Sequence, residues 1–357
     1  MASDEFDIIR RHFNQKGLAF AKSSVMLGIG DDCALLAADS SQQLAISMDL
    51  LQEGVHFLSD ADPFLLGQRT LLVNLSDLAA MGAEPLCFTL GVSIPKADEL
   101  WLERFSAGLA VVAQAHDCPL VGGDLTAAHP EHGTITLCVQ VHGQRPAGAG
   151  MLRSGARPGD LVYVTGTLGD AAAGLAVLQG RLPVGASPAR DGFSPESIAG
   201  RPAPTEFEAA LISAFYQPES RVACGMALRG LASAAIDISD GLASDLGHIL
   251  RGSGVSAAID TEALPTSAAF RALVPEAARL SLVLGGGDDY ELCFTVSNDD
   301  VPQLERQLSA TGTAATCIGR IESGSGPIRW LSKGEEIALQ VQGYNHFAPQ
   351  QLTQERT

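Results

Sequence analysis

Between Pro63 and Pro85, apolar residues recur at three- and four-residue steps: Leu71, Leu72, Leu75, Leu78 and Ala79. That spacing belongs to a helix buried over most of its surface. Asp62 stands where an N-cap belongs, Pro63 suits the first turn, and Gly82 followed by Pro85 ends the run; a helix is therefore predicted between them. Asn74 and Asp77 fall on one face of it, three apart, inside the apolar stretch. A buried carboxylate is costly unless a cation meets it. The nearest basic residue in the helix is Arg69, two turns back. Asp77 either pairs with a distant basic residue, caps another element, or holds a metal ion.

The rest of the pattern is mixed. A short helix is predicted over 5–13, then two apolar runs in 25–37 broken by Gly28, Gly30, Asp31 and Asp32. A strand over 44–48 ends in Asp49, and the loop after it carries His56. Further strands are predicted over 86–94, 118–125 (stopping at Gly122-Gly123-Asp124) and 134–143. Asp98 caps a helix whose stripe is Leu102, Phe105, Leu109 and Val112. The Gly-, Arg- and Pro-rich residues 146–159 place a domain boundary near Ala149. Beyond it come a strand over 160–166, a helix from Asp170, a Pro-rich insertion over 181–204, and helices over 205–215 and 219–231. A strand then ends in Asp237 and Asp240, and a strand-like stretch over 284–296 contains GGGDDYEL. Strands and helices alternate irregularly, so the expected class is α+β rather than a doubly wound sheet.

Length and charge narrow the function. A chain of 357 residues favours two domains. Its 41 Asp and Glu against 23 Lys and Arg give a net charge of -18, a surface that repels nucleic acid and anionic lipid. Neither is expected as a partner. The seven cysteines are scattered and never in CxxC spacing, which predicts reduced thiols in a cytoplasmic protein. The opening MASDEFDIIRRHF mixes charge with hydrophobe, unlike a signal peptide. No apolar run reaches the roughly 20 residues that span a bilayer.

Six aspartates share one habit. Asp32, Asp49, Asp77, Asp124, Asp237 and Asp240 each sit at the edge of an apolar element, most beside Gly or Ser. Singly, each reads as a cap or turn residue. Gathered together they repel: two carboxylates ~4 Å apart cost roughly 4 kcal/mol at an effective dielectric near 20. A fold with total stability of order 10 kcal/mol would not collect them without cations. Oxygen donors with no Cys or His cluster point to a hard divalent ion, Mg2+ first. Walker, GxGxxG and protein-kinase motifs are missing from the sequence.

LGIGDDCALL, AISMD, NLSDLAAMGAEP, LVGGDLT, RSGARPGD, VTGTLGDAAAGL, AIDISDGL and GGGDDYELCFT occur in that order. Together with LGHI and the closing GYNHF, they resemble the thiamine-monophosphate kinase family of the aminoimidazole-ribonucleotide-synthetase superfamily. The resemblance runs from about residue 5 to Phe347. It implies a two-domain PurM-like architecture. The N-terminal domain (1–148) would bind ATP and Mg2+ and place a mixed sheet at a homodimer interface. A C-terminal α/β sandwich domain (149–347) would follow, with a tail over 348–357.

By the same resemblance, Asp32, Asp49, Asp77, Asp124 and Asp237 match Mg2+ ligands, with Asp240 close by. Ser47 contributes an oxygen, and Met48, where a hydroxyl residue is common, only its backbone. Gly123, Arg153 and Ser239 match ATP-contacting positions. His56, Asp288 and Tyr344 match the pocket for thiamine monophosphate; at Asp288 the family more often carries Glu, one methylene longer. The implied reaction joins ATP and thiamine monophosphate into ADP and thiamine diphosphate. Its acceptor phosphate, with a second pKa near ~6, is already a nucleophile at neutral pH. No acid or base residue is expected, only metal-assisted in-line transfer. A selenophosphate synthetase would need a reactive Cys-Lys near its start, and no Cys precedes Cys33. A hydrogenase-maturation relative would end in Cys, whereas this sequence closes on QQLTQERT.

Overall fold

The computed structural model describes residues 5–30, 32–148, 150–182, 204–339 and 341. A helical turn, α1 (Glu5–Ile8), a π-helical segment (Ile9–Phe13) and a ribbon of β1 (Val25–Leu27) with β2 (Leu35–Leu36) come first. They precede β3 (Gln42–Gln52), α2 (Pro63–Ala80), β4 (Glu84–Ile94), α3 (Glu99–Ala115), β5 (Leu120–Ala127) and β6 (Thr136–Pro146). The four longer strands form a mixed sheet in the order β3-β6-β4-β5, in which β4 and β5 run parallel.

Both predicted ends of α2 are present. Asp62 Oδ1 accepts the N–H of Phe64 at 2.8 Å. At the other end Gly82 takes the left-handed conformation, and the N–H groups of Gly82 and Ala83 return to the carbonyls of Ala79 and Leu78, the Schellman closure. Leu71, Leu75, Leu78 and Ala79 are fully buried, whereas Leu72 is partly so. Facing glycines let α2 approach α3 backbone to backbone. A Cβ at Gly67 would stand 2.2 Å from the Phe105 carbonyl, and one at Gly108 would stand 2.0 Å from that of Phe64.

The second half contains β7 (Leu161–Thr165), α4 (Asp170–Leu178), α5 (Glu206–Tyr216), α6 (Val222–Ala227) and β8 (Ala232–Asp237). α7 (Leu242–Ser253), β9 (Ser256–Asp260), α8 (Ala268–Leu273), α9 (Glu276–Gly285) and β10 (Leu292–Val296) follow. α10 (Val301–Thr311), β11 (Ala315–Glu322), β12 (Arg329–Ser332) and β13 (Glu335–Ile337) complete it. Its seven-stranded sheet has the order β13-β12-β9-β11-β7-β10-β8. The α+β class is as expected. α2 also packs on α6 and β8, and one apolar core includes Leu71 and Phe105 together with Val222, Leu292 and Phe294. The two halves therefore meet along α2.

Some expectations change. β5 does not stop at Gly122-Gly123-Asp124; it continues to Ala127 because Gly122–Ala127 pair with Thr89–Ile94. The register slips between Phe88 and Thr89, which leaves Val121 in a bulge. The predicted 5–13 helix divides into α1 and the π-helical segment, and the 219–231 helix shortens to α6. β10 begins only at Leu292, since residues 286–291 take an irregular path with left-handed backbone at Gly287, Asp288 and Tyr290. Most of the 181–204 insertion, and Tyr344, lie outside the described residues.

Candidate functional site

Alternation along β3 puts Ser47 and Asp49 on the face toward α2 and Met48 on the opposite face, where its side chain is exposed. Ser47 Oγ donates to Asp77 Oδ2 at 2.5 Å. The Asp49 N–H donates to Asn74 Oδ1 at 3.1 Å, while Asn74 Nδ2 reaches the Thr70 carbonyl. Asn74 thus ties β3 to α2, and Asp77, one turn on, faces the same strand. From the second half, β8 delivers Asp237 to the same place: its Oδ2 accepts from Ser76 Oγ at 2.8 Å.

These three carboxylates sense one another. Burial, reinforced by the Asp77 charge, pushes Asp49 up to about 6. Burial also raises Asp77, against the Ser47 hydrogen bond and the charge of Arg153. Asp237 is pushed to about 7 by burial, then by Asp77, with Asp245 and Asp49 adding to it. Asp240 and Ser239 adjoin through Asp245, whose Oδ2 accepts both of their N–H groups at 3.0 Å. Asp245 is itself raised to about 7, first by burial, and Arg153 opposes the rise.

Asp32, Gly123 and Asp124 stand elsewhere, around a cavity of about 710 Å³ at the β5 edge, with Arg10, Ile29 and Gly122. Asp49 is level with Gly123 through Val139 and Leu90, three strand spacings away, on the order of 14 Å. Asp124 shares the next row with Gly91, Cys138 and Leu50. The structure therefore gathers Asp49, Asp77 and Asp237, brings Asp240 and Arg153 beside them, and sets Asp32 and Asp124 apart.

Among the described residues, no three His, Cys, Asp or Glu side chains are closed into a metal-holding group. The donors still fit a hard cation. They are carboxylate and hydroxyl oxygens, the carboxylates are desolvated and mutually repelling, and Arg153 is the cation that bears on Asp77.

The predicted acceptor side adjoins them. His56 lies in the loop after β3, and its Nδ1 accepts the Gln52 N–H at 3.0 Å. The N–H groups of Asp288 and Tyr290 donate to the carbonyls of Ser239 and Ile238, so the 286–291 path is stitched to the end of β8. Asp288 Oδ1 accepts from Arg69 at 2.5 Å and from the Tyr290 hydroxyl at 3.4 Å. Burial raises Tyr290 well above its ordinary range, with the Asp288 charge next, and Asp49 and Asp237 also contribute.

Sequence reasoning passed over Arg69, Ser76, Asp245 and Tyr290. The available signal for Arg69 was a lone cation in an apolar helix; for Asp245 it was a carboxylate in the first turn of a helix that follows two others.

The AIR synthase related protein N-terminal domain model matches residues 30–144, and the corresponding C-terminal domain model matches 157–331. The thiamine-monophosphate kinase of Salmonella typhimurium is 44% identical over 348 residues, covering 98% of this chain and 99% of that one. That of Bacillus subtilis is 33% identical, covering 96% and 99%. The crystal structure of thiamine-monophosphate kinase from Stenotrophomonas maltophilia aligns with a TM-score of 0.76 at 40% identity, covering 88% and 93%. A structure of AaThiL complexed with AMPPCP and TMP aligns with a TM-score of 0.69 at 30% identity, covering 87% and 89%. Escherichia coli HypE, at 19% identity and a TM-score of 0.71, shares the fold.

Proposed function

The chain belongs to the thiamine-monophosphate kinase family of the AIR synthase related proteins, and from that membership we propose a direct transfer at the junction of its two halves. The γ-phosphoryl group of ATP passes to the phosphate of thiamine monophosphate, giving ADP and thiamine diphosphate. The observation that carries this reading is the desolvated trio Asp49, Asp77 and Asp237, drawn from both halves and held by Ser47 and Ser76. A relative bound to an ATP analogue and TMP supports the choice of substrates.

Asp49, Asp77 and Asp237 would hold Mg2+ together with Ser47 and Asp240, Met48 offering its carbonyl alone. Asp32 and Asp124 would supply further carboxylates from the cavity at the β5 edge. Bound magnesium supplies the positive charge that screens two phosphates from each other. Gly123, Arg153 and Ser239 are assigned to ATP: Gly123 lines the cavity, and Arg153 carries a cation suited to phosphate oxygens. His56 and Asp288, with Tyr344, are assigned to thiamine monophosphate. The acceptor is mostly dianionic above about pH 6, so no side chain needs to remove a proton from it. An in-line displacement leaves no phosphoryl group on the protein.

The proposed division places 1–148 and 149–347 as the two domains, with 348–357 as a tail. A homodimer is proposed through the outer face of β3, an edge strand whose Leu44, Ile46, Met48 and Leu50 are exposed. Among the described residues, no helix is long and apolar enough to cross a membrane. The cysteines are free thiols, which supports action in the cytoplasm.

The test is a panel of phosphate and alcohol acceptors with ATP and Mg2+, scored for ADP and for a diphosphate product. Thiamine monophosphate alone should give a diphosphate. Turnover of thiamine itself at a comparable rate, or a stable radiolabelled protein from labelled ATP, would remove the reading.

A further inference from the structure

We propose that Arg69 is the positioning residue for acceptor specificity, holding the Asp288 carboxylate in place for the nitrogen-heterocycle end of the acceptor. The inference rests on the proposed reaction and concerns a residue that touches neither phosphate.

Arg69 is 1% exposed, in a helix that also buries Leu66, Leu71 and Val73. Burying a guanidinium is costly unless its donors are engaged; here both terminal nitrogens are engaged, while the buried Nε has no hydrogen-bond partner among the described residues. Arg69 donates to the Phe215 carbonyl and lies 4.0 Å over the Phe215 ring, with the Tyr290 ring at 5.7 Å. Cation-over-ring contact and the planar fork fix the direction of its remaining donors. One of them goes to Asp288 Oδ1.

The partner is different in kind. Asp288 is 27% exposed, so the pair has a sealed end and an open one. The hydrogen bonds that Asp288 accepts from Arg69 and Tyr290 both fall on Oδ1, which, among the described residues, leaves Oδ2 as the oxygen for a ligand. Left-handed backbone at Asp288 and Tyr290 is strained for residues with side chains. It is held by the bonds to Ile238 and Ser239 and by Arg69. Because the Asp288 N–H donates to the carbonyl of Ser239, two residues past Asp237, this carboxylate adjoins the group assigned to phosphate. An anionic oxygen so placed suits an acceptor with a phosphate at one end and a cationic or N–H-donating heteroaromatic ring at the other. A site built around such a contact rejects phosphate esters that lack it.

The test compares wild type with Arg69→Lys, Arg69→Met, Asp288→Asn and the Arg69→Met/Asp288→Asn double variant. Each substrate is varied at saturation of the other, and melting temperatures are recorded alongside. Arg69→Met and Asp288→Asn should each raise KM for thiamine monophosphate about tenfold, with ATP KM within about twofold of wild type. Arg69→Lys should recover part of the loss. The double variant should be no worse than the worse single one, as for residues acting as a unit. Equal rises in both KM values, multiplying losses in the double variant, or an unchanged acceptor KM in Asp288→Asn would each overturn the proposal. If Arg69→Met does not fold, Asp288→Asn and Arg69→Lys decide by the same KM comparison. Wild type that fails to turn over thiamine monophosphate removes the proposed reaction. Wild type that turns over, with Arg69→Met kinetically unchanged, removes the role of Arg69 alone.

Discussion

Ser76 donates its hydroxyl to Asp237 across 161 positions of sequence, while its neighbour Asp77 accepts from Ser47 on β3. Two consecutive residues of one helix therefore hold one carboxylate-bearing strand from each half. The Ser76 hydrogen bond works against the burial that raises Asp237, so Ser76→Ala should make Asp237 harder to ionise and weaken its hold on a cation. The Mg2+ concentration for half-maximal activity should rise about tenfold. An unchanged Mg2+ titration would show that this hydrogen bond has no bearing on the metal.

Stability should respond to pH in the sense opposite to that of an ordinary salt-bridged aspartate. Asp49 lies near 6 and Asp237 near 7 in the folded chain, against 3.8 for a free aspartate. Between those limits the folded state keeps protons that the unfolded state has released, so this contribution to stability is lost as pH rises. Without divalent cations the melting temperature should fall from about pH 4 to about pH 7. Added Mg2+ should raise it more at the upper end, because binding there displaces fewer protons. A magnesium shift of equal size at both ends would contradict the carboxylate assignment.

Asp77→Asn separates function from folding. Asp77 is one of the charges that raise Asp49 and Asp237, so removing it relieves repulsion in the metal-free protein. The variant should melt at or above the wild-type temperature and lose activity by a hundredfold or more, beyond the roughly 10- to 100-fold that losing a group behind a metal ligand costs. Near-normal turnover in the folded variant would take Asp77 out of the site.

The helix carrying these residues was legible from sequence because its caps and apolar period are local signals. Asp62, Pro63 and Gly82 act within a turn of where they stand. The α+β class followed from the order of elements for the same reason. What depended on register was harder to read. GGD looked like a strand end because glycines usually interrupt strands, yet parallel pairing with β4 carries β5 through them. The six aspartates shared a local signature, but sheet geometry places Asp124 one row off and three strands from Asp49. Arg69 and Asp288 are 219 positions apart, and nothing in either neighbourhood announces the other.

The two glycines of β5 should behave differently. A Cβ at Gly123 would stand 2.0 Å from the Leu90 carbonyl oxygen, whereas at Gly122 the nearest atom is the Thr89 Cγ2 at 3.9 Å. Backbone cannot yield as a side chain tip does, so Gly123→Ala must push β5 away from β4. The expected loss is about 1–3 kcal/mol of unfolding free energy, with Gly122→Ala within about 0.5 kcal/mol of wild type. Denaturant unfolding of the pair would check this, and equal stabilities would mean that Gly123 is not held against β4.

β3 presents two unlike faces, and the outer one bears on assembly. Ser47 and Asp49 point toward α2, while Leu44, Ile46, Met48 and Leu50 alternate outward with 62%, 57%, 58% and 47% of their surface exposed. β3 also ends its sheet, and although Asn74 and His56 take up the N–H groups of Asp49 and Gln52, its apolar row is open to a partner. A second copy of the chain covers such a face without introducing foreign chemistry. The wild-type protein should therefore sediment as a dimer, and Leu44→Asp/Ile46→Asp should sediment as a monomer. The substituted side chains point away from Ser47 and Asp77, so the hydrogen bond between those residues should survive the change. A wild-type monomer at micromolar concentration, or a double variant that still dimerises, would rule out this face as the interface.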